Sequence, residues 1–345
     1  MSIRMSLNIK EIIDSEKFVG ISDFKFSEFC SSENFQKEIK RSDVTILEEK
    51  NEKNINYVWY ISNNFKIKSN SIIFCQADVV EHFFSVLKNY EKLENIILIT
   101  HQSDRKITKK VFNLKPEFVS KWFATNVCFS HPDLIPIPIG VNNSYYKINP
   151  NSEDIIKAIS KKNEKKINKA YVNFNINTKQ FHRLHTIKMA KSSNFFYHQN
   201  EKLNKEDYLI ELAKYRYTLC PWGNGFDTHR VWESIYLGSI PIIKYHRAYK
   251  HVDNIPLSVV KSFKNLEEKN HELKKHDDNK IFFSYWSKLI KDLKPGKEES
   301  SYQYEDISKV NNDFKKFINK RRMFQSIKKR LKTFIFKIYK NVFYL

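Results

Sequence analysis

The sequence predicts an α/β chain of two facing Rossmann-like halves followed by a basic amphipathic helix. Three observations predict it. Strand-like and helix-like segments alternate twice, once on each side of a polar stretch near the middle of the chain. Glycine is concentrated at one place: of six in 345 residues, Gly223, Gly225 and Gly238 fall within Tyr217–Ile243. Residues 314–345 carry apolar side chains at steps of three and four, with lysine and arginine between them.

Length and composition bound the answer. A chain of 345 residues suggests about two domains with ample core. Hydrophobic residues at 41% and aromatics at 14% favour folding over disorder. The net charge is +21, but eleven Lys or Arg and no acid lie between Phe314 and Leu345. About half the excess is therefore a tail property. A nucleic-acid-binding protein would spread basic and aromatic residues over its folded domains, so this class is the weaker alternative. Cys30, Cys75, Cys128 and Cys220 form no C-x-x-C pair, which argues against a zinc site or a disulfide framework and for reduced thiols in a cytoplasmic protein. The first residues lack the apolar core of a signal peptide. No run approaches the roughly eighteen apolar residues that span a bilayer. The expectation is a soluble protein, or one peripheral on the membrane's cytoplasmic face.

Residues 1 to 40 are polar and mixed, and no element is assigned there. Short β-rich runs follow at 44–47, 57–61, 71–75 and 95–100, with a helix over 79–89 that sets Val80, Phe83, Phe84 and Leu87 on one face. The alternation implies a mostly parallel sheet covered on both faces. The strand at 95–100 ends in His101-Gln102-Ser103-Asp104, where open α/β sheets place their ligand crevice. His101, Ser103 and Asp104 are thus either site residues or a polar turn capping the next helix. Pro136 and Pro138 make Ile135–Gly140 an edge strand or an extended connection. The Lys- and Asn-rich stretch 149–169 marks a boundary near 165. This divides the chain into residues 1–165, 166–305 and a C-terminal helix over 306–345. The rhythm then restarts: a strand at 171–176, a basic helix over 178–191 carrying Arg183, a strand at 195–198, helices over 207–216 and 281–293, and a strand at 259–262.

Tyr217–Ile243 reads as a strand, a Pro/Gly/Asn turn, an amphipathic helix, a glycine stop and a second strand. The turn and the helix N-terminus offer free backbone N–H groups and a positive dipole end, a natural anion site. Arg230 lies in the first helical turn, where its fork can reach a phosphate, and Glu233 is on the same face. The stretch has neither G-x-G-x-x-G nor G-K-[ST], so it fits neither a dinucleotide fingerprint nor a P-loop. In the tail, Phe324, Ile327, Leu331, Phe334, Ile335, Ile338, Val342 and Leu345 share one stripe. Such a helix lies on an anionic membrane, docks on the core with a solvated basic face, or binds nucleic acid. Aromatics packed into one stripe disfavour the last.

PWGNGFDTHRVWESIYLGSIPII, residues 221–243, resembles the signature of exostosin-like glycosyltransferases. Residues 171–183, YVNFNINTKQFHR, are similar to the opening of the donor-binding domain in that family. LITHQSD at 98–104, KWFATN at 121–126 and IPIPIGVNN at 135–143 resemble the acceptor-side domain of bacterial and viral-type relatives. The resemblance spans about residues 70 to 260 and leaves out the tail. Thr228-His229-Arg230 stands where animal and plant members commonly have Ser-x-Arg, which leaves the donor sugar open. The resemblance implies a GT-B fold and transfer of a sugar from a UDP-sugar or GDP-sugar to a hydroxyl of a glycan or a lipid- or protein-linked acceptor. It implies a donor site built from Arg183, Gly223, Asn224, Gly225, Asp227, Thr228, His229, Arg230 and Glu233. Glu233 would accept hydrogen bonds from the ribose, unless it only pairs with Arg230; Asp227 is a sugar ligand or the helix N-cap. Protein cations would replace a metal, in line with the lack of a D-x-D motif. An inverting reaction needs a base in the facing domain, for which His101 and Asp104 are the candidates. A nucleotide-sugar-binding module without a base is the alternative of another class.

Overall fold

A computed structural model describes residues 7–342 except 31–43, 53–54, 63–65, 91, 146–147, 162–164, 200, 253–254, 265, 267–277, 295, 297–300 and 303–306. The chain opens with α1 (Ser15–Gly20), capped by the Asp14 carboxylate accepting from the Lys17 N–H at 3.0 Å. Strands β1 (Phe24–Cys30), β2 (Val44–Glu52), β3 (Ile55–Ser62), β4 (Ile67–Lys68) and β5 (Ile72–Gln76) follow. Then come α2 (Val80–Leu87), β6 (Ile96–His101), α3 (Lys109–Phe112), β7 (Val119–Ala124) and β8 (Leu134–Pro136). Seven of these strands form one sheet in the order β2-β3-β1-β5-β6-β7-β8.

From β1 to β8 through β5, β6 and β7 the pairing is parallel, and β8 is the proline-bearing edge the sequence predicts. The other side departs from the parallel expectation. β2, β3 and β1 pair antiparallel. Only two residues separate β2 from β3, and a connection that short can only fold back on itself, since a parallel crossover needs a dozen residues or more. The silent N-terminal stretch also carries structure: β1 sits inside the sheet, and Ile12, Ile13 and Phe18 are fully buried.

The second half contains α4 (Ser152–Ser160), β9 (Ile167–Val172), α5 (Gln180–Lys191), β10 (Phe196–His198), α6 (Lys205–Lys214), β11 (Tyr215–Leu219), α7 (His229–Tyr236), β12 (Ile240–Lys244) and β13 (Ser258–Val260). α4 starts on a full capping box between Asn151 and Asp154. The five strands form a wholly parallel sheet, β10-β9-β11-β12-β13. Its continuous apolar runs, such as Ile240–Ile243, suit strands covered on both faces.

One core cluster joins the two sheets, taking Phe74, Ile99 and Phe123 from the first and Val231, Trp232 and Tyr236 from α7. The Tyr236 phenol is a pin in it: it accepts from the Ile13 N–H at 2.9 Å and donates to the Ile281 carbonyl at 2.9 Å. Gly140 makes a second close approach. Its φ is +66°, and a Cβ there would stand 2.0 Å from the Ile13 carbonyl oxygen, so only glycine fits.

After residue 281 the chain returns to the first half. α8 (Phe283–Asp292), which the sequence reading grouped with the second half, sets Phe283 edge-on to Phe18 at 5.3 Å and takes a hydrogen bond from its own Phe283 N–H to the Glu11 carbonyl. β14 (Ser301–Tyr302) pairs with β4. α9 (Ile307–Val342) buries Val310, Phe314 and Ile318 against the core beneath the first sheet.

Candidate functional site

The loop from Pro221 to Asp227 links β11 to α7 and reaches the first half of the chain. There three of its amides are taken. The Gly225 N–H donates to Asp104 Oδ1 at 3.1 Å, and the Phe226 and Asp227 N–H groups both donate to Asn126 Oδ1, at 2.7 and 3.2 Å. For Gly225, Phe226 and Asp227 this corrects the expectation of free loop N–H groups: these residues are buried, and buried amides find partners. A Cβ on Gly225 would lie 2.9 Å from both side chains, so the glycine is what admits them. Asn126 is itself buried and holds φ +55°, a left-handed conformation that asparagine tolerates better than most residues.

Asp227 is buried beneath the same loop. Its carboxylate accepts from the Ile139 N–H at 2.9 Å and from Trp232 Nε1 at 3.0 Å. It is not the cap. Thr228 occupies that position, makes no capping bond, and leaves its hydroxyl buried without a partner. Burial pushes the Asp227 carboxyl up to about 7, against the opposing pull of the Ile139, Trp232 and Thr228 N–H groups. A raised folded pKa means that the protonated form favours the fold. That contribution is complete below the ordinary value of 3.8 and is lost as pH rises through about 7. Wild type is therefore expected to lose stability relative to Asp227→Asn as pH rises over this window. Denaturant titrations at several pH values check it; parallel stability curves would remove the assignment.

The cations come from two helices. Arg183 of α5 is buried, with Nε donating to the Trp222 carbonyl at 3.0 Å and NH1 to the Asn175 carbonyl at 2.5 Å. Burial, and then the neighbouring Arg230, pull its pKa down to about 10. Arg230 of α7 rests between rings, its Cζ 5.8 Å from the Phe174 centroid and 6.0 Å from that of Tyr208, and its Nε has no partner. Among the described residues neither guanidinium forms an ion pair. Glu233, buried one turn on from Arg230, instead accepts from the Tyr208 hydroxyl at 2.8 Å. The two cations repel one another, Tyr208 and Glu233 favour the charge on Arg230, and Arg230 Nε is left to donate, an arrangement suited to an anion of more than one charge.

These groups open on a cleft of about 680 Å³ between the halves. Arg183, Gly223, Asn224, Asp227, Thr228, His229, Arg230 and Glu233 all line it, facing Asp104, Asn142 and Asn149. Gly225 lies behind the surface, tied to Asp104. Gly223 is where the loop passes Arg183: a Cβ there would stand 3.2 Å from a guanidinium nitrogen. A smaller cavity of about 230 Å³ adjoins, and Asp104 and His229 line both.

His101 borders only the smaller cavity, and its ring is fully engaged. Nδ1 accepts from the Gln102 N–H at 2.8 Å, and Nε2 bonds the Pro138 carbonyl at 3.0 Å. Burial holds its pKa down to about 3, so the ring is neutral with no lone pair to spare. His229 differs. Its Nδ1 bonds the Gly140 carbonyl at 2.8 Å, which as a donor leaves the Nε2 lone pair for the cleft. Asp104 is exposed, with one carboxylate oxygen on Gly225.

Sequence reasoning missed Asn126, Tyr208 and Phe174. Tyr208 reads as an apolar position of a helix, and Phe174 as part of a strand. Asn126 carried one usable signal, an asparagine just past the end of a parallel strand. Among the described residues no group of three or more His, Cys, Asp or Glu side chains is arranged to hold a metal ion. Cys75, Cys128 and Cys220 are unpaired, and no described helix is long and apolar enough to cross a membrane.

The fold and cleft define an α/β protein with two arginines, Arg183 and Arg230, lining a cleft between two sheets. Its class follows from comparison: the model of the RXYLT1 C-terminal domain matches residues 165–343, more than half the chain, from the start of β9 to the end of α9. The chain belongs to this family, and with it to the exostosin-like glycosyltransferases. No curated protein matches it.

Proposed function

We propose that the protein transfers a sugar from a nucleoside-diphosphate sugar, UDP- or GDP-linked, to a hydroxyl of a glycan or glycoconjugate, with inversion and without a metal. The family description favours a xylosyl group. The observation that carries the reading is the pair Arg183 and Arg230, set side by side in one cleft and outside any close ion pair among the described residues. The reaction breaks the bond between the anomeric carbon and the diphosphate, so negative charge grows on the leaving group. Two fixed guanidiniums and the unpartnered Thr228 hydroxyl are the groups to stabilise it. Glu233, oriented by Tyr208, is the acceptor for the ribose hydroxyls.

In this reading the arrangement is that of a GT-B enzyme, with an acceptor half up to about residue 165 and a donor half beyond it. Asp104 takes the proton from the attacking hydroxyl. Its free carboxylate oxygen faces the cleft, while Gly225 holds the other next to the donor loop. His101 leaves the base role because both its nitrogens are bound.

Thermal-shift titration against UDP-, GDP-, CMP- and dTDP-sugars, followed by a transfer assay with the donor that binds, tests the reading. A true donor at a hundred times its dissociation constant adds roughly 2.7 kcal/mol of stability. Silence from every nucleotide sugar would sink it. Binding without transfer or donor hydrolysis would leave a binding module.

A further inference from the structure

Helix α9 docks with one face and then exposes another. Its first turns bury Val310, Phe314 and Ile318, and Arg321 and Arg322 pair with Asp78 and Glu48. Past that point Met323, Phe324, Ile327, Leu331, Phe334 and Ile335 are all between 49% and 63% exposed. At 3.6 residues per turn they share one stripe, centred about 120° round the helix from Val310, Phe314 and Ile318. The stripe adjoins the docked face at Phe317, which packs on His82, and continues beyond the edge of the core. A contiguous apolar surface of this kind marks an interaction site.

The chemistry around the stripe selects the partner. Lys328, Arg330 and Lys332 flank it, and residues 314–345 contain no Asp or Glu. A second copy would bring eleven cations against eleven, with no acid between them. An anionic lipid surface instead accepts both the stripe and the charges. The position also fits: Lys332 lies close enough to Lys179, beside the cleft-lining Thr178, for the two charges to repel.

We propose that the distal half of α9 lies in the interface of an anionic bilayer, apolar stripe inward, and holds the cleft beside that surface. An acceptor carried on lipid would follow from this together with the glycosyl-transfer reading; the membrane contact itself does not depend on that reading. Flotation of the full-length protein with phosphatidylcholine vesicles, with and without phosphatidylserine, tests it. Wild type is expected to float only with phosphatidylserine, and less at high salt. Replacing Lys328, Arg330 and Lys332 by Gln is expected to lower partitioning on the order of a hundredfold. Phe324→Ser combined with Leu331→Ser and Phe334→Ser is expected to abolish it with little change in melting temperature, because these side chains are more than half exposed. Equal flotation of wild type and either variant overturns the proposal. So does concentration-dependent dimerisation, lost in the serine variant, without vesicle binding.

Discussion

Arg230→Gln is expected to lower kcat/KM for transfer about a thousandfold while the protein stays folded. Removing one preorganised hydrogen-bond donor from a developing anion costs a factor of roughly a hundred to a thousand. Arg230 supplies a full charge as well, so the upper end applies. The stability side separates function from structure. Breaking a buried ion pair costs about 3–5 kcal/mol because a charge is orphaned. Among the described residues Arg230 has no close ion pair, but Tyr208 and the buried Glu233 one turn on raise its pKa despite its burial. Its removal leaves Glu233 less compensated, offset in part by relief of the repulsion that, after burial, lowers the pKa of Arg183. The variant is thus expected to melt moderately below wild type, in a transition that stays cooperative, and to lose the donor-induced thermal shift. A variant that still binds and turns over donor would place the diphosphate elsewhere.

Asp104→Asn is expected to reduce kcat by a factor of about a hundred to ten thousand, the range for loss of a general base. Donor affinity is expected to survive, because an asparagine Oδ1 can still accept from the Gly225 N–H. The split between kcat and donor binding is the signature of a proton acceptor. A loss of both would mean that Asp104 only shapes the loop. An unchanged kcat would take the role from Asp104, and His229→Gln would then show whether the cleft-facing imidazole holds it.

Much of this architecture was legible because it is local. The second sheet follows from short apolar runs broken by helices with polar caps. The edge position of β8 follows from Pro136, and the donor loop from its glycines. Parallel strands buried on both faces write themselves as continuous apolar runs. What escaped is what depends on partners far along the chain. β1 reads Phe-Lys-Phe-Ser-Glu-Phe-Cys, a half-polar stretch that becomes a sheet strand only once β3 and β5 flank it. The two-residue gap that makes β2 and β3 antiparallel was hidden, because the charged and polar residues 48–54 do not read as strand and the apolar runs at 44–47 and 57–61 stand nine residues apart. At the site, the residue types were readable but their couplings were not. That Glu233 turns to Tyr208 rather than Arg230, and that His101 is locked by Pro138, are facts of distance between segments that no spacing encodes.

The bonds from Asn126 and Asp104 to the loop amides have a consequence for exchange between family members. The stretch matched by the family model begins at residue 165, yet the loop at its centre is shaped by two side chains that precede it. A chimera that imports only the second half inherits the glycines and arginines without the acceptors that set their backbone. If the proposed donor role holds, donor preference is a property of both halves, and a graft onto another chain is expected to work only when Asn126 and Asp104 travel with the loop they hold.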